Sequence, residues 1–337
     1  MTLVEFWFLL IAILWTVFFV LEGFDFGVGM VHGIVGADEA GRRAAINTIG
    51  PLWDGNEVWL VVAGAAMFAV FPGWYATMFS GFYLAIVLLL AALIGRGISF
   101  EYRGKRDAES WRRTWDGLLT GGSFLAPLLI GVALGDLLHG LPINARLQYT
   151  GTFWNLLQPY GIFTGITLVA LCIVHGCTFI ALKTTGDLRG RAARLAIRAA
   201  PVTAAVLLAF VIWTHAISGK GLLPNPVEIA GVLSIMAAAW LIRDDREGWA
   251  FAATTIAIAL TVLSIFSELY PNVMVSSTRR AYSLTIHNTA SGAYSLRVMT
   301  VVIAISLPVV LAYTAWTYYV FRRRLSDKDF RAQPTAH

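Results

Sequence analysis

The chain opens with a long apolar run, VEFWFLLIAILWTVFFVLEGFDFGVGM, at residues 4–30. A helix needs about 20 mostly apolar residues to cross the hydrocarbon core of a membrane, and this run exceeds that length. Its apolar part is preceded by Glu5 and not by a lysine or arginine. A secretory signal peptide has a basic start and a shorter apolar stretch, so we interpret residues 4–30 as a retained transmembrane helix.

The composition extends this interpretation to the whole chain. Of the 337 residues, 58% are hydrophobic and 13% are charged, whereas soluble domains average about 45–50% apolar and about 25% charged residues. We therefore predict an all-α integral membrane protein in which residues 1–337 form a single membrane domain. The nine predicted transmembrane helices are residues 4–30, 44–70, 75–98, 117–139, 159–182, 198–218, 226–242, 249–269 and 297–321.

The basic residues are distributed unevenly among the connections between these helices. The connections after odd-numbered helices, with the carboxyl-terminal tail, hold 20 of the 25: Arg42, Arg43, Arg96, Arg103, Lys105, Arg106, Arg112, Arg113, Lys183, Arg189, Arg191, Arg194, Arg198, Arg243, Arg246, Arg322, Arg323, Arg324, Lys328 and Arg331. The other connections hold five: Arg146, Lys220, Arg279, Arg280 and Arg297. Cytoplasmic loops carry the excess of lysine and arginine, so the amino terminus is predicted outside the cytoplasm and the carboxyl terminus inside it. This asymmetry accounts for the net charge of +5 without nucleic-acid binding.

Two acidic motifs interrupt the apolar segments. Glu22 and Asp25 lie in predicted helix 1, and Asp54 and Glu57 lie in predicted helix 2. The acids of each motif are three residues apart and therefore share a helix face. Ionisable side chains cost about 2.5–3.5 kcal/mol each in a membrane helix on insertion scales, and they default to a functional role. Because the two helices are consecutive and antiparallel, we predict that the four acids converge in a buried proton path that begins at the cytoplasmic surface.

Small residues accompany the first motif. Gly23 and Gly27 are four residues apart, and so are Gly29 and Gly33. This spacing lets the backbone of a neighbouring helix approach closely. The face of helix 1 that carries the acids is therefore predicted to pack against protein and not against lipid.

A purely structural role for the acids is the competing interpretation. In that interpretation they pair with Arg96, Asn47 or Asn56 and only fix the packing of the helices. Other acids lie near predicted helix ends, where solvation lowers the cost of a charge, and are expected to be interfacial: Glu101, Asp116 and Asp136.

Two histidines are candidate haem ligands, because paired histidines on facing helices hold haem in membrane cytochromes. His175 is in the middle of predicted helix 5 and His215 is near the outer end of predicted helix 6. In antiparallel neighbours these rings lie at different depths, so we expect them to be hydrogen-bonded within the bundle. The sequence indicates no catalytic residue and no metal site in this chain, and it leaves the cofactor-binding residues unknown.

The two acidic motifs together resemble subunit II of the cytochrome bd-type quinol oxidases. Asp54 matches the acidic residue that this family has on helix 2, and Asp25 matches its helix 1 aspartate. Glu22 stands where relatives carry Asp, and Glu57 stands where some relatives have Gln. The likeness covers nearly the whole chain through further segments: residues 79–83, 101–103, 149–153, 270–277, 283–285 and 298–300.

The resemblance implies two four-helix bundles plus a peripheral helix, in a bacterial cytoplasmic membrane. It implies a terminal oxidase that oxidises quinol and reduces oxygen to water, with the haem groups in a partner, subunit I. This chain would be the haem-free support subunit of that heterodimer and would supply the proton path through Glu22, Asp25, Asp54 and Glu57. The resemblance leaves open small accessory subunits, bound membrane lipid, a structural quinone and the type of quinone.

Two other functions compete with this one. A stand-alone ion or solute transporter also uses buried acids, but transporters commonly have broken helices in two inverted repeats. No matching Gly or Pro interruptions are visible in the two halves of this sequence. A self-contained haem cytochrome would depend on His175 and His215.

Overall fold

A computed structural model describes residues 1–218 and 223–330. Lys220 and Arg331 of the charge pattern lie outside these ranges. The described residues form eleven α-helices: α1 (Leu3–Val35), α2 (Glu39–Asn47), α3 (Trp53–Val70), α4 (Pro72–Gly81), α5 (Tyr83–Tyr102), α6 (Glu109–His139), α7 (Pro159–Lys183), α8 (Gly186–Ser218), α9 (Pro226–Arg243), α10 (Glu247–Leu269) and α11 (Ala293–Val320). A short antiparallel hairpin of β1 (Asn272–Met274) and β2 (Leu284–Thr285) lies between α10 and α11.

The all-α membrane architecture predicted from the sequence is confirmed. Among the described residues, eight helices are long and apolar enough to cross a membrane: α1 and α5 to α11. Nine were predicted, and the difference lies in the second segment. Its apolar part, α3, has 18 residues, and its first turns contain Asp54, Asn56 and Glu57, which make it less apolar than the other spans.

The prediction of one continuous helix over residues 44–70 is wrong. α2 ends at Asn47 and α3 begins at Trp53. Pro51 lies between them, and proline has no N–H to donate while its ring clashes with the carbonyl of the preceding turn. The helix therefore stops before Pro51 and restarts after it.

The predicted helix over residues 75–98 is also divided, into α4 and α5, at Phe82. Here the break is slight. The Phe82 N–H donates to the Met78 carbonyl and the Ile86 N–H to the Phe82 carbonyl, both at 2.8 Å. These helical hydrogen bonds carry the chain across the junction, so α4 and α5 form one bent rod.

Two groups of four helices pack side by side. In the first, α1 packs on α3 and α6, and α5 packs on α6; Trp53 of α3 stacks on Phe100 of α5 with ring centroids 4.8 Å apart. In the second, α7, α8, α9 and α10 pack in a closed ring, and α1 and α6 join the groups through α7. α11 lies at the periphery against α3, and of its fully described residues Leu296 alone is buried. This is the arrangement that the resemblance implied.

Close helix packing depends on the glycines of α1. A Cβ at Gly27 would overlap the Cys172 carbonyl and lie 2.7 Å from the Cα of Gly176 on α7. A Cβ at Gly29 would lie 2.7 Å from the Cβ of Ser123 on α6. The predicted close approach is thus confirmed at Gly27 and Gly29, but not at Gly33, which has no atom within 4 Å of its Cβ position. Gly33 lies in the last turn of α1.

One end of the molecule gathers the connections 36–52, 103–108, 184–185 and 244–246, and we call it the basic end. Arg103 organises it. The Arg103 guanidinium donates two parallel hydrogen bonds to Glu39, at 2.8 and 2.9 Å, and another to Asp116 at 2.6 Å. Asp116 also contacts His32, with Oδ1 3.1 Å from Nε2. Paired, charge-assisted bonds of this kind fix geometry well, so they hold the ends of α1, α2 and α6 together.

The opposite end carries the connections 140–158 and 270–292, and we call it the hairpin end. The two connections bind each other: the Leu141 N–H donates to the Val275 carbonyl at 2.9 Å, and the Ser276 hydroxyl donates to the Ile143 carbonyl at 3.2 Å. The Ser291 hydroxyl donates to the Ala69 carbonyl at the end of α3, at 2.7 Å. These bonds satisfy backbone groups of the irregular segments and join the two helix groups at this end.

Replacing Gly27 with Val should force α1 away from α7, because the added atoms have no room. Overpacking typically costs about 1–3 kcal/mol, so we expect a lower thermal midpoint and a lower yield of folded protein in detergent. Gly33→Val places the same side chain in the same helix where space is open, and it should leave the midpoint nearly unchanged. Equal midpoints for the two variants would show that the close contact at Gly27 does not limit stability.

Candidate functional site: a buried carboxyl cluster

Arg96 lies at the centre of the polar groups inside the first helix group. Its Nη1 is 2.6 Å from Glu22 Oε1 on α1 and 3.2 Å from Glu57 Oε2 on α3. The side chains of Arg96 and Glu22 are fully buried, and that of Glu57 is 24% exposed. The guanidinium also lies over the rings of Phe26 and Phe100, 5.0 and 5.4 Å from their centroids. One cation on α5 therefore binds α1 and α3 together.

Asp25 lies three residues after Glu22 on α1 and is bound by Asn56, the residue before Glu57 on α3. The Asn56 amide donates to Asp25 Oδ2 at 2.7 Å and to the Leu21 carbonyl at 3.2 Å. On its other side, Asn56 accepts a hydrogen bond of 2.9 Å from the hydroxyl of Tyr318 on α11. We use the name carboxyl cluster for these six side chains: Glu22, Asp25, Asn56, Glu57, Arg96 and Tyr318.

The carboxyl cluster contains three carboxyl groups for one guanidinium. Glu22 Oε2 and Asp25 Oδ1 have no hydrogen-bond partner among the described residues. An ionised carboxylate can only accept hydrogen bonds, whereas a protonated carboxyl can also donate one. Unpaired buried charge is strongly unfavourable, and the arrangement therefore favours a cluster that holds exchangeable protons.

Asp54 does not join the carboxyl cluster, contrary to the prediction that all four acids converge. It is exposed in the first turn of α3. Because Pro51 ends the preceding helix, Asp54 occupies a helix amino terminus, where a negative charge interacts favourably with the helix dipole. It begins an exposed stripe of α3 that continues with Val58 and Val61, which are 48% and 68% exposed.

Of the three residues predicted as structural partners of the acids, two contact them and Asn47 does not. Arg96 and Asn56 do contact the acids, which the structural interpretation predicted. Arg96 also proves to be an interior residue and not part of a loop. Asn47 is exposed and donates only to the Arg43 carbonyl one turn earlier, at 2.8 Å.

Asp136 differs from the expectation that it is interfacial. It is fully buried near the end of α6, and both carboxyl oxygens lack a hydrogen-bond partner among the described residues. A Cβ at Gly161 of α7 would overlap its Oδ1, so this glycine makes the space that Asp136 fills. Asp116, in contrast, lies in the basic-end network with Arg103, and Glu101 is exposed.

The two candidate haem ligands are engaged in other contacts. The His175 ring has Nδ1 2.7 Å from Thr254 Oγ1 and Nε2 3.1 Å from the Val20 carbonyl, and it stacks on Phe251 at 4.5 Å. Both of its nitrogens are thus hydrogen-bonded within the bundle, as the sequence interpretation expected. His215 Nε2 is 2.8 Å from Glu228 Oε2 near the hairpin end.

An apolar cavity of about 460 Å³ lies in the first helix group, between α1, α3, α4, α5 and α6. Aromatic and aliphatic side chains line it, among them Trp15, Met67, Phe79, Ile130 and Leu134. Cavities of this size with apolar walls suit chain-like apolar ligands.

Removing the Arg96 charge should leave Glu22 buried without its counter-ion. Breaking a buried ion pair on one side costs about 3–5 kcal/mol, so Arg96→Gln should lower the thermal midpoint markedly. Adding Glu22→Gln to that variant should restore much of the loss, since no isolated charge is then left. Arg113→Gln, at an exposed arginine of α6, serves as the control. A double variant no more stable than Arg96→Gln alone would contradict the ion pair's role.

Comparisons with known proteins identify the family of the chain. The family model described as cytochrome bd terminal oxidase subunit II matches residues 3–321. The chain is 44% identical to cytochrome bd ubiquinol oxidase subunit 2 of Bacillus subtilis over 329 residues, covering 96% of this chain and 97% of the relative. It is 37% identical to cytochrome bd-I ubiquinol oxidase subunit 2 of Escherichia coli K12 over 362 residues, covering 96% and 95%.

The fold has a counterpart among solved structures. A chain in the structure of bd oxidase from Geobacillus thermodenitrificans superposes with a TM-score of 0.70, over 95% of this chain and 99% of that one. Its sequence identity of 17% makes this a likeness of fold alone. The family model and the two sequence relatives span nearly the whole chain and confirm the resemblance that the acidic motifs gave. The chain belongs to the family of cytochrome bd terminal oxidase subunit II.

Proposed function

We propose that this chain is the haem-free subunit of a membrane quinol oxidase and that its carboxyl cluster carries protons from the cytoplasm toward a partner that reduces oxygen to water. The chain's membership in the family of cytochrome bd terminal oxidase subunit II supports the oxidase assignment. The observation that carries the proton path is the carboxyl cluster, in which Arg96 contacts Glu22 and Glu57 and a third acid, Asp25, is hydrogen-bonded to Asn56.

The order of exposure along the acids supports a path that begins at the basic end. Asp54 is exposed in the first turn of α3, and Glu57, one turn further in, is 24% exposed. Glu22 and Asp25 are fully buried. Protons would pass from Asp54 and Glu57 to Glu22 and Asp25, with Asn56 and Tyr318 holding the geometry.

The basic end is assigned to the cytoplasm. Of the 24 lysines and arginines other than the interior Arg96, 19 fall in the predicted connections of that side or in the carboxyl-terminal tail, and such an excess is typical of cytoplasmic loops. The amino terminus would then lie outside and the carboxyl terminus inside. This orientation places Asp54 where cytoplasmic protons reach it.

The partner would be a haem-carrying subunit I, seated on α3 and α11. Both helices expose apolar surface, including Val61, Ile305 and Val309 at 60–70% exposure. A lone acid beside an apolar membrane face is costly, and a partner that covers the stripe from Asp54 to Val61 would supply polar contacts for it. His175 is already saturated with hydrogen bonds, which agrees with haem residing in the partner.

A structural quinone is the second ligand that the chain would bind. The apolar cavity between α1, α3, α4, α5 and α6 has the volume and the lining for an isoprenoid chain. Trp15 and Phe79 contribute flat aromatic surface to it. Membrane lipid tails share this chemistry and compete for the same space. The transporter alternative loses its support, because the family accounts for the buried acids without it.

Amide replacements in the acids test the proton path. Asp25→Asn and Glu22→Gln keep volume and hydrogen-bonding capacity but cannot exchange a proton. In the purified complex of both subunits, quinol-driven oxygen consumption per haem should fall about ten-fold or more, since proton-transferring groups contribute about 10²–10⁴-fold to rate. Asp54→Asn should also lose much of the turnover.

Asp187→Asn is the matched control, because Asp187 is also an exposed aspartate in the first turn of a helix, α8. It should retain full turnover. If the acids only fix packing, the cluster variants should lose assembly or haem content before they lose turnover per haem. Fully assembled Glu22→Gln, Asp25→Asn and Asp54→Asn complexes with unchanged turnover would rule out the path.

A further inference from the structure

Three helices of the second group bring a histidine and two glutamates together near the hairpin end. His215 lies in the last turn of α8, Glu228 in the first turn of α9 and Glu268 at the penultimate position of α10. One ligand atom from each residue lies within 4.8 Å of the others. His215 and Glu228 are 5% and 4% exposed, and Glu268 is half-buried.

The local structure already holds two of these side chains in place. Glu228 Oε2 accepts from the Asn225 backbone N–H at 2.8 Å and lies 2.8 Å from His215 Nε2. Thr214, next to His215, hydrogen-bonds to Tyr160 at 2.8 Å, which joins this end of α8 to α7. Groups that fix the rotamers of a ligand set raise metal affinity, and the Asn225 N–H does so for Glu228.

The His215 ring provides a second, independent observation. Its Nδ1 is buried and has no hydrogen-bond partner among the described residues. Buried polar atoms of this kind call for an explanation, and an unplaced ion is one of the few available. The other ring nitrogen, Nε2, faces the Glu228 carboxylate at 2.8 Å, and a cation bound between the two side chains would replace that hydrogen bond.

We propose that His215, Glu228 and Glu268 form a divalent transition-metal site, of the Zn²⁺ class, at the hairpin end. One imidazole and two carboxylates is a ligand set that zinc accepts, with bonds of about 2.0–2.2 Å. Helix bundles commonly assemble metal sites from facing glutamates and histidines. The ion would tie α8, α9 and α10 at one end of the second helix group, far from the carboxyl cluster in the first. The site is independent of the proposed proton path.

Zinc content of the intact oxidase complex tests this site. The complex, prepared without a histidine tag, is dialysed against a chelator, incubated with Zn²⁺ alone, passed over a desalting column and analysed for bound zinc. We expect about one equivalent of zinc per chain, and a zinc affinity lowered about ten-fold or more in His215→Ala and in Glu268→Gln. His287→Ala, at an exposed histidine of the same end, should bind as the unmodified complex does.

Glu268→Gln keeps the side-chain volume at a half-buried position, so it decides the question if His215→Ala fails to assemble. Zinc bound equally by the unmodified complex, Glu268→Gln and His287→Ala would overturn the site. So would an unmodified complex that retains no zinc after desalting.

Discussion

The contact of the buried Arg96 guanidinium with Glu22 and Glu57 is the constraint on which the first helix group depends. A guanidinium away from water needs compensating charge, and these carboxylates supply it from two other helices at 2.6 and 3.2 Å. α1 must then lie close to α5 and α3, and the glycines of α1 allow α6 and α7 to follow. The same contact leaves three carboxyl groups and one guanidinium in the carboxyl cluster, and the additional carboxyl groups can bind and release protons. The contact that packs the helices is therefore also the basis of the proposed function.

The apolar runs gave the existence and order of the membrane helices, but not their ends. α8 begins at Gly186, twelve residues before its predicted start at 198, because its polar first turns remain helical outside the apolar run. Hydropathy measures where a helix crosses lipid, whereas hydrogen bonding and capping determine where it stops. For residues 44–70 the predicted helix is too long, because the apolar residues continue past Pro51 whereas a regular helix does not. Reading Gly50-Pro51 as a helix break would have found this.

The candidate site was predictable where spacing within one helix determined it. Glu22 and Asp25 share a face of α1 and are buried together, as their three-residue interval indicated. Asp54 and Glu57 have the same spacing, yet Asp54 is exposed. Spacing shows which residues share a helix face, but not which face of α3 the neighbouring helices cover. Tyr318 and the His215 site were missed, since their contacts join segments far apart in sequence. The sequence offers Arg96 as a possible partner of the acids, but the charge count assigns it to a loop, although a charge in an apolar run indicates the interior position that it has.

Infrared difference spectra of the purified oxidase, recorded between its oxidised and reduced states, test most directly whether the carboxyl cluster exchanges protons. A carboxyl group that gains or loses a proton changes its C=O stretching band. The account predicts such a band in the unmodified complex and in Asp187→Asn, and its loss or shift in Glu22→Gln or Asp25→Asn. Identical difference spectra in the unmodified complex and both cluster variants would contradict it.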